Sequence, residues 1–498
     1  MSSKRGSILG HVSGSYDVQV LIAAPDVPLP SRAAVDRAKI ELDRKLGASK
    51  VMTSADACAA YGVDESDVVG RAPDVVVIAA SADDVRVALE IADTCGVPVT
   101  PRGAGTGRTG GAVTIAGGIV LATHALAQVK DIDRKDLLAV VEPGVITGEL
   151  HALCEKEGLF YPPDPNSLDT CMIGGNIAEN AGGPRAFKYG VTRDYVLGLE
   201  VCLVGGRVLR TGRRTVKGVT GYDVTSLLVG SEGTLGVFTE ATLRLMRKPQ
   251  EIATVLALFD DVHTCASGVG AIIEAGLVPR CIELLDRATL DAVRSQGSAI
   301  DPRAGAMLLI ELDGDAASLG PALERLGEAL SAGAGVVDVV VAQDAAQRAR
   351  LWTARKSLSR ATRKLTKYKL SEDVVVPRSR VPELLVRVDR IGEQTGVRHL
   401  TYGHAGDGNL HVNFLWNDDG ERPAVDRAIE LLMRATIDLG GTLSGEHGIG
   451  VSKMAFLPLE QSAGLIDLQR DVKRAFDPKE LLNPGKIFPG RGSGHRAC

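Results

Sequence analysis

The residues from Pro101 to Gly111 constrain the fold more than any other part of the chain. Five glycines fall within nine of these residues, directly after an apolar run at 97–100 that predicts a strand. Closely spaced glycines let backbone N–H groups approach a phosphate and surround it. A tight turn alone does not account for them, because each glycine costs conformational entropy on folding. The loop therefore predicts a phosphate-bearing ligand that is held by backbone groups.

The residues that follow this loop argue against a nicotinamide site of the Rossmann type. Such a site needs a helix that begins at the loop and points its N-terminus at the pyrophosphate. Residues 112–121 are instead rich in β-forming side chains and are interrupted by Gly117 and Gly118, which makes a helix improbable. Two more glycine-rich segments, 162–183 and 230–236, also suggest backbone held close to a ligand.

Composition and charge exclude several classes of protein. The net charge of −5 offers no basic surface for nucleic acid, and no apolar run reaches the ~18–20 residues that span a bilayer. The eight cysteines are dispersed without a C-x-x-C pair, which excludes a self-contained iron–sulfur cluster or structural zinc site and predicts unpaired thiols. At 498 residues the chain is longer than one hydrophobic core supports. These features predict a soluble, cytoplasmic protein of more than one domain.

Hydrophobic periodicity predicts alternating strands and helices after a mostly polar N-terminus. Ser31 is placed to cap a helix that ends near residue 46. A boundary between domains is predicted near 248–249. Helices are expected at 83–95 and 147–157, and strands at 75–80, 97–100, 117–123, 137–142, 199–204, 207–211, 234–245, 251–259, 306–312 and 336–341.

Two compact motifs near the C-terminus hold three of the nine histidines. His404 and His411 lie in His-Ala-Gly-Asp-Gly-Asn-Leu-His, and Glu446 and His447 lie in Gly-Glu-His-Gly-Ile-Gly. In a helix, His404 and His411 would be about 10.5 Å apart along the axis, too far for one metal ion. The glycines between them instead permit a loop that folds one imidazole back toward the other. His411 is expected to begin a strand that places Asn413 on the same face.

Glu446 and His447 are adjacent on a turn bounded by glycines, so we expect their side chains to point in different directions. One of them can then complete a metal site while the other faces a substrate. Two histidines and one carboxylate leave a coordination position open for a substrate oxygen, as catalytic zinc-type sites do. The alternative is that these histidines merely line loops, and the glycine-rich surroundings disfavour it.

The glycine loops and the histidine motifs together resemble a known family, the flavoprotein 2-hydroxyacid dehydrogenases of the vanillyl-alcohol-oxidase type. The resemblance extends from about residue 73 to 489 and implies an α+β fold. It implies a two-subdomain FAD-binding domain of the PCMH type and an α/β cap domain with an antiparallel sheet. The implied division is an N-terminal helical segment packed on the FAD domain (1–70), the FAD-binding domain (71–248), the cap (249–440) and a C-terminal segment that returns to the FAD domain (441–498).

The resemblance also implies which residues bind the cofactors. FAD would be held noncovalently, since the first loop has no histidine to which it could be tethered. A divalent metal, Zn²⁺ or alternatively Mn²⁺ or Fe²⁺, would be held by His404, His411 and Glu446. The implied FAD-binding residues are Pro101, Arg102, Gly103, Ala104, Gly105, Thr106, Gly107, Gly110, Gly111, Asp164, Pro165, Asn166, Gly174, Gly175, Asn176, Ala181, Gly182, Gly183, Glu232, Val237 and Asn483.

The implied reaction is the oxidation of a small D-2-hydroxy acid, glycolate or D-lactate, to the 2-oxo acid. The metal would lower the pKa of the 2-hydroxyl group, His447 would remove its proton, and hydride would pass from C2 to flavin N5. Arg355 lies in Trp-Thr-Ala-Arg, which matches the substrate-arginine motif of the family, and an arginine suits a carboxylate. Ser359, one helical turn on, and Asn413 are the other implied substrate-binding residues.

One position departs from the relatives that bind dicarboxylates. Some of these carry a lysine six residues before the proline that corresponds to Pro377. Ser371 occupies that position here, and Lys369 lies two residues away. The departure argues against a substrate like 2-hydroxyglutarate and favours glycolate or D-lactate.

The electron acceptor and two other functions stay open. Without iron–sulfur cysteines, two electrons must leave to a separate iron–sulfur or flavoprotein subunit, a quinone, a cytochrome or oxygen. The basic segment 348–364 could face such a partner or a membrane surface, and peripheral membrane association and a homodimer are compatible with the sequence. The alternatives are a metal-dependent hydrolase built on His404, His411 and Glu446, and a non-catalytic flavin-carrying subunit of a multi-subunit oxidase. An ether-lipid synthase on the same fold is a more remote alternative.

Overall fold

The structure is a computed structural model that describes residues 22–23, 25, 27–297, 300–356 and 358–490. The side chains of residues 22, 23, 353, 354, 356, 359 and 360 lie outside this description. None of the described helices is long and apolar enough to cross a membrane. The seven cysteines among the described residues are all unpaired, as the sequence predicts.

The N-terminal part of the chain contains a four-stranded sheet, and two parallel pairings in it place both strands of the predicted strand–helix–strand unit beside a third strand. Its connecting helix, Ala82–Cys95, begins at Ser81, whose side chain accepts the Asp84 N–H, and ends at Gly96 in the left-handed conformation. The helix Arg32–Leu46 packs on this helix and is capped by Ser31, as predicted. In sheet order the strands are Val51–Met52, Val75–Ile78, Ile119–Ala122 and Val99–Arg102, of which the last three are parallel.

A second, five-stranded sheet is antiparallel and follows in the chain. Beside it lies the helix Thr147–Lys156, followed by Gly158 at a φ of 70°. The segment 162–183, expected to be a loop, contains the short helix Ile173–Glu179, because Ile173 and Ile177 are four residues apart and both are buried in the core. In sheet order the strands are Val208–Gly212, Val196–Cys202, Val237–Arg244, Leu138–Val141 and Val129–Asp133.

A seven-stranded, fully antiparallel sheet forms the C-terminal half and confirms the antiparallel sheet expected for a cap. Its strands in order are Val336–Val341, Glu251–Phe259, Ala306–Gly314, Cys281–Asp286, Arg398–His404, Asn409–Trp416 and Tyr368–Val375. One face is covered by four helices, Val262–Glu274, Ala316–Ser331, Val381–Thr395 and Arg422–Asp438. The other face packs on the helix Arg287–Arg294 near one end and otherwise faces the glycine loops.

The C-terminal residues return to the first sheet. Leu482 forms a parallel bridge with Val99, and the Lys486 ammonium donates to the backbone oxygens of Gly110 and Val113. The remaining helices are Ala55–Ala59, Ala186–Tyr189, Val224–Leu228, Ala345–Lys356, Leu358–Arg363, Leu457–Glu460 and Ala463–Phe476, with 3₁₀ turns at Thr192–Tyr195, Arg378–Arg380, Asp419–Glu421 and Met454–Phe456. The remaining strands pair Ile22–Ala23 with Val68–Val69 and Leu159–Phe160 with Met246–Arg247.

Candidate active site

The polar side chains of the site meet because of the register of four neighbouring strands in the seven-stranded sheet. Glu283 pairs with His404, while Tyr402 pairs with His411, which in turn pairs with Asp373. Residues paired across strands share a face of the sheet, as do residues two positions apart on one strand. The register therefore places these five side chains together on the face opposite the four covering helices.

The segment between His404 and His411 is a β-hairpin, and the expected loop is reduced to a four-residue turn at 405–408. His404 is the last residue of one strand, and the next strand begins at Asn409, two residues before His411. The two imidazole centroids are 5.5 Å apart. Gly408 is required in the turn, because its φ is +88° and a Cβ there would lie 2.0 Å from the Val376 oxygen.

The turn that carries Glu446 and His447 is wrapped around a single carboxylate. Oδ2 of Asp373 accepts the Ser444 hydroxyl at 2.8 Å and the N–H groups of Gly445, Glu446 and His447 at 2.9, 3.0 and 3.1 Å. The turn is curved because three consecutive N–H groups point at one oxygen atom. The side chains of Glu446 and His447 both line the cavity. The expectation that they point in different directions is therefore wrong: His447 Nε2 is 3.6 Å from Glu446 Oε1.

The geometry of His404, His411 and Glu446 suits one divalent metal ion. Their ligand atoms lie within 4.8 Å of one another, and Glu446 Oε1 is 3.9 Å from His404 Nε2 and 3.4 Å from His411 Nε2. Ligands in a tetrahedral zinc site are about 3.4 Å apart, so small side-chain movements complete the set. His404 Nδ1 contacts Glu283 Oε1 at 2.5 Å, so Nε2 is the nitrogen on the side of Glu446. Although burial opposes it, Glu283 and Glu446 raise the pKa of His404, so a metal at Nε2 would displace a proton.

A second group among the described residues, Asp373 with His411 and His447, fits a metal less well. Asp373 already accepts five hydrogen bonds, one of them at Oδ1 from the Asn409 amide at 2.6 Å. Binding a metal there would compete with the bonds that hold the turn. Burial opposes ionisation of Asp373, yet His447, Lys453 and His411 hold its pKa well below the usual range.

Charge interactions set the protonation of the cluster. Burial opposes ionisation of Glu446, but the hydrogen bond and charge of His404 lower its pKa to about 2. Burial lowers the pKa of His411 to about 3 and also lowers the pKa of His447, with Asp373 acting in the opposite direction. Glu446 is therefore an anion at neutral pH, while His411 and His447 have unprotonated nitrogens available to a metal or a proton.

Arg355, the predicted substrate arginine, lies in the same cavity and is held by Glu283. Its Nε and Nη2 contact Glu283 Oε2 at 2.6 and 2.5 Å, and its guanidinium lies 5.3 Å from the Tyr402 ring centroid. Burial opposes ionisation of Glu283, but Arg355 and His404 lower its pKa to about 2. Sequence reasoning missed Glu283, although a carboxylate between Ile282 and Leu284 in an apolar strand was the available signal.

Of the other two predicted substrate residues, the structure describes the side chain of Asn413 only. The Asn413 side chain is fully buried, donates to the His411 backbone oxygen at 2.8 Å and does not line the cavity. Ser359 lies in the helical segment Leu358–Arg363, and its side chain is outside the described residues. Ser371 does line the cavity.

Lys369 lies on the same face of its strand as Ser371. Its ammonium donates to the Thr362 hydroxyl at 2.7 Å and lies 5.7 Å from the Tyr402 ring centroid. Burial and the charges of Arg108 and Arg363 lower the pKa of Lys369 to about 7. Lys369 is thus partly charged and lies near Ser371, the position at which a dicarboxylate-binding protein of this type is expected to carry a lysine.

A cavity of about 370 Å³ joins this cluster to the three glycine loops. Seventeen of the predicted FAD-binding residues line it, whereas Gly110, Asp164, Gly182 and Gly183 do not. Gly110 and Gly183 permit close packing instead: a Cβ would lie 2.8 Å from Val68 in the first case and 2.4 Å from the Asp164 oxygen in the second. Lining residues that the sequence did not single out include Arg108, Thr123, Pro143, Cys171, Met172, Ala178, Glu179, Gly233, Gly236, Phe238 and Tyr402.

The first glycine loop presents unpaired donors to this cavity. The backbone N–H groups of residues 103–107 donate to no group in the described part of the chain, and these residues line the cavity. Residues 171–179 form another part of the cavity wall, which includes Gly174 and Gly175. A Cβ added to Gly175 would meet nothing within 4 Å. Unpaired backbone donors beside side-chain-free walls suit the phosphates and the planar ring of FAD.

Two side chains tie the C-terminal residues to this cofactor region. Asn483 donates to the oxygens of Gly111 and Glu232 at 2.9 and 2.8 Å. Glu232, at a φ of +51°, accepts the N–H groups of Ile449 and Gly450 at 2.8 and 2.7 Å. The turn that carries Glu446 and His447 is thereby joined to the loop 230–236.

Comparison with known proteins identifies both halves of the chain. Residues 73–212 match the family model described as an FAD binding domain, and residues 248–487 match that of the FAD linked oxidases, C-terminal domain. The chain is 40% identical to the glycolate oxidase subunit GlcD of Bacillus subtilis, over 86% of this chain and 92% of that protein. It is 33% identical to the D-lactate dehydrogenase of Anaerostipes hadrus, over 90% of this chain and 96% of that protein.

Solved structures share the fold at lower identity. The structure of p-cresol methylhydroxylase with bound substrate superposes with a TM-score of 0.77 at 17% identity, covering 92% of this chain and 98% of that one. The 4-ethylphenol oxidase of Gulosibacter chungangensis gives a TM-score of 0.76 at 20% identity, covering 93% and 100%. These neighbours confirm the expected PCMH-type flavoprotein fold. The chain therefore belongs to the FAD-linked oxidase family and is an FAD-dependent oxidoreductase.

Proposed function

We propose that this protein oxidises a small D-2-hydroxy acid, glycolate or D-lactate, to the 2-oxo acid. Its relatives named as a glycolate oxidase subunit and a D-lactate dehydrogenase support FAD-linked oxidation of a hydroxy acid. The observation that carries the proposal is one cavity lined by the glycine loops, Arg355, the His404–His411–Glu446 set and His447. Oxidation of a hydroxy acid requires four such elements: a bound cofactor, a cation for the carboxylate, a group that acidifies the hydroxyl, and a base.

In this proposal Arg355 receives the substrate carboxylate. Glu283 and the ring of Tyr402 hold the guanidinium in place, so little conformational entropy is lost when the substrate binds. The small size of glycolate and D-lactate agrees with Ser371 as the neighbouring side chain in the cavity.

His447 acts as the general base and takes the 2-hydroxyl proton at Nε2. Its Nδ1 lies 3.9 Å from Asp373 Oδ2, on the side of the buried carboxylate, so Nε2 is the nitrogen on the side of Glu446 and the cavity. When bound, FAD supplies the hydride acceptor at N5, and a divalent ion on His404, His411 and Glu446 supplies the charge that acidifies the 2-hydroxyl. A buried, unprotonated imidazole is the form that this step requires.

The test is anaerobic reduction of the purified, FAD-loaded protein. The oxidised flavin absorption should bleach with D-lactate or glycolate and stay unchanged with L-lactate as the stereochemical control. Failure of every D-2-hydroxy acid to bleach the flavin would refute the proposal. Bleaching by glycolate and by both lactate enantiomers would refute the D-specificity only.

The other functions make different predictions. A hydrolase built on the same ligands is active without flavin, and a non-catalytic flavin carrier holds FAD that no hydroxy acid reduces. The electron acceptor is identified by mixing the substrate-reduced protein with oxygen, a soluble quinone analogue and cytochrome c. The cytoplasmic location, the partner subunit and the homodimer stay predictions.

A further inference from the structure

A cationic loop with exposed apolar side chains extends from the five-stranded sheet. Residues 213–222, which we call the tip, connect the strand Val208–Gly212 to the helix Val224–Leu228. Val216, Val219 and Tyr222 in the tip are 95%, 98% and 98% exposed. The next most exposed large apolar side chain among the described residues, Ile40, is 66% exposed. These three side chains are therefore almost fully exposed with respect to the part of the chain that the structure describes.

Every charged residue in the tip is a cation. Arg213, Arg214 and Lys217 lie between Gly212 and Tyr222, and the net charge of the whole chain is −5, so the positive charge is local. Arg214 pairs with the exposed Asp131 at 3.2 Å. For Arg213 and Lys217, the described part of the chain offers no carboxylate within 4.0 Å.

The next acidic residue does not neutralise the tip. Asp223 caps the following helix, accepting the Ser226 N–H at 3.0 Å and the Ser226 hydroxyl at 2.7 Å. These bonds and, more weakly, the charge of Arg213 lower the pKa of Asp223, so it is ionised, and its hydrogen bonds hold it to its own helix. The exposed residues 214–222 thus carry cations and no anion beside three apolar side chains.

The shape of the tip favours a lipid surface over a protein partner. Its apolar residues are three positions apart on an irregular loop and are separated by Gly218 and Gly221, the latter at a φ of +76°. A stable protein interface needs about 20–30 residues on each side. Apolar and aromatic side chains flanked by cations are instead the composition of segments that enter the interface of anionic membranes.

We propose that the tip binds the surface of an anionic lipid bilayer. Val216, Val219 and Tyr222 enter the interfacial region, while Arg213 and Lys217 face the lipid headgroups. The hydroxyl of Tyr222 stays at headgroup level while its ring is buried, which is the usual position of tyrosine at a bilayer. The proposal concerns binding only and is independent of the reaction proposed above.

The test is co-sedimentation of the full-length, FAD-loaded protein with sucrose-filled vesicles. Vesicles of equal parts phosphatidylglycerol and phosphatidylcholine should bind the protein at low salt, at least about tenfold more tightly than phosphatidylcholine alone. Half-molar salt should release it, because salt screens exposed charges. Each basic residue at such a surface contributes about fivefold in affinity, so R213S/K217S should bind about 25-fold more weakly.

Matched variants distinguish binding through the tip from nonspecific adsorption of the protein to vesicles. V216S/V219S/Y222S should bind anionic vesicles at least about tenfold more weakly, because each side chain loses the burial of its apolar surface. The control I40S/V278S/L468S removes three other exposed apolar side chains, 66%, 58% and 59% exposed, and should bind like the wild type. R350S/K364S removes two exposed cations from the basic segment 348–364 and should also bind like the wild type.

Since the substituted side chains are exposed and none of them forms an ion pair in the described part of the chain, all variants should keep FAD and its absorption spectrum, which shows that they are folded. Wild-type protein that stays in the supernatant with anionic vesicles at low salt would overturn the proposal. Equal binding by the wild type and both tip variants would also overturn it. A wild-type dimer that the apolar tip variant converts to a monomer, without vesicle binding, would assign the tip to a second copy of the chain instead.

Discussion

Replacing Glu283 by glutamine should weaken the metal site and the fold together, although the two side chains have nearly the same shape. Glu283 is fully buried and is shared between Arg355, at 2.5 and 2.6 Å, and His404 Nδ1, at 2.5 Å. Glutamine keeps a carbonyl oxygen for one of these partners but removes the charge. The substitution therefore leaves the buried Arg355 cation without its anion.

The size of the effect follows from the pKa of the carboxyl group. The difference between the ordinary value of 4.5 and the folded value of about 2 corresponds to about 3 kcal/mol, at ~1.4 kcal/mol per pH unit. Because the folded-state pKa is the lower one, this stabilisation is present above about pH 4.5 and is lost as the pH falls toward 2. Breaking a buried ion pair by removing one partner costs about 3–5 kcal/mol, which agrees with the value obtained from the pKa.

The same substitution should lower metal affinity by about 10- to 100-fold, because Glu283 fixes the ring of His404 so that Nε2 faces the metal. Urea unfolding at pH 7 of the metal-free protein measures the first effect, and competition with a metal chelator measures the second. Glu311→Gln is the control: Glu311 is buried on the adjacent strand, accepts the Trp352 N–H at 2.6 Å and does not contact His404. It should destabilise the fold and leave metal affinity unchanged. An E283Q variant within about 1 kcal/mol of the wild type, with unchanged metal affinity, would refute this account of the site.

Three further predictions concern the base, the cofactor wall and a buried histidine. His447→Ala should keep the flavin spectrum and slow anaerobic flavin reduction by about 10²- to 10⁴-fold, the range of a lost general base; an unchanged rate removes His447 from that role. Gly175→Ala should not destabilise the protein in urea, because its Cβ meets nothing within 4 Å and alanine suits a helix, but it should weaken FAD binding in a fluorescence titration. Gly270→Ala, whose Cβ is also unobstructed in a helix of the other half, should leave FAD binding unchanged. Burial lowers the pKa of His151 to about 4, so the unfolded state binds a proton that the fold does not, and about 3 kcal/mol of stability should be lost as the pH falls from 6.5 to 4. His151→Gln, which can keep the bond to the Pro163 oxygen, should lack this component of the loss when urea unfolding is measured across that pH range, and an equal loss in both proteins would contradict the assignment.

Local elements of the fold could be predicted from the sequence because their signals are local. The helix after Ser31 begins at the predicted cap, and the strands 251–259 and 336–341 have the predicted bounds. The absence of a helix after the first glycine loop is confirmed by the strand Ile119–Ala122. Each of these depends on periodicity or capping within about fifteen residues.

The arrangement of the site could not be predicted in full, because it depends on register between distant strands. Glu283 reaches His404 across 121 positions of the chain, and nothing near either residue encodes that pairing. Glu446 and His447 were expected to diverge because the carboxylate that curls their turn, Asp373, lies more than seventy positions away. The motifs identified the ligand types, while sheet register decided which of them meet.

The turn that carries Glu446 and His447 is fixed from both halves of the molecule, and this has a consequence for catalysis. Asp373, on the seven-stranded sheet, binds its first three N–H groups, and Glu232, from the glycine loop 230–236, binds the N–H groups of Ile449 and Gly450. Thr109 in the first glycine loop also donates to the His447 oxygen at 2.9 Å. A displacement of one half relative to the other must break buried, charge-assisted hydrogen bonds, each of which contributes about 1.5–3 kcal/mol. The distance between His447 and the glycine loops is therefore fixed by Asp373, Glu232 and Thr109, so the proposed base is positioned before a substrate binds.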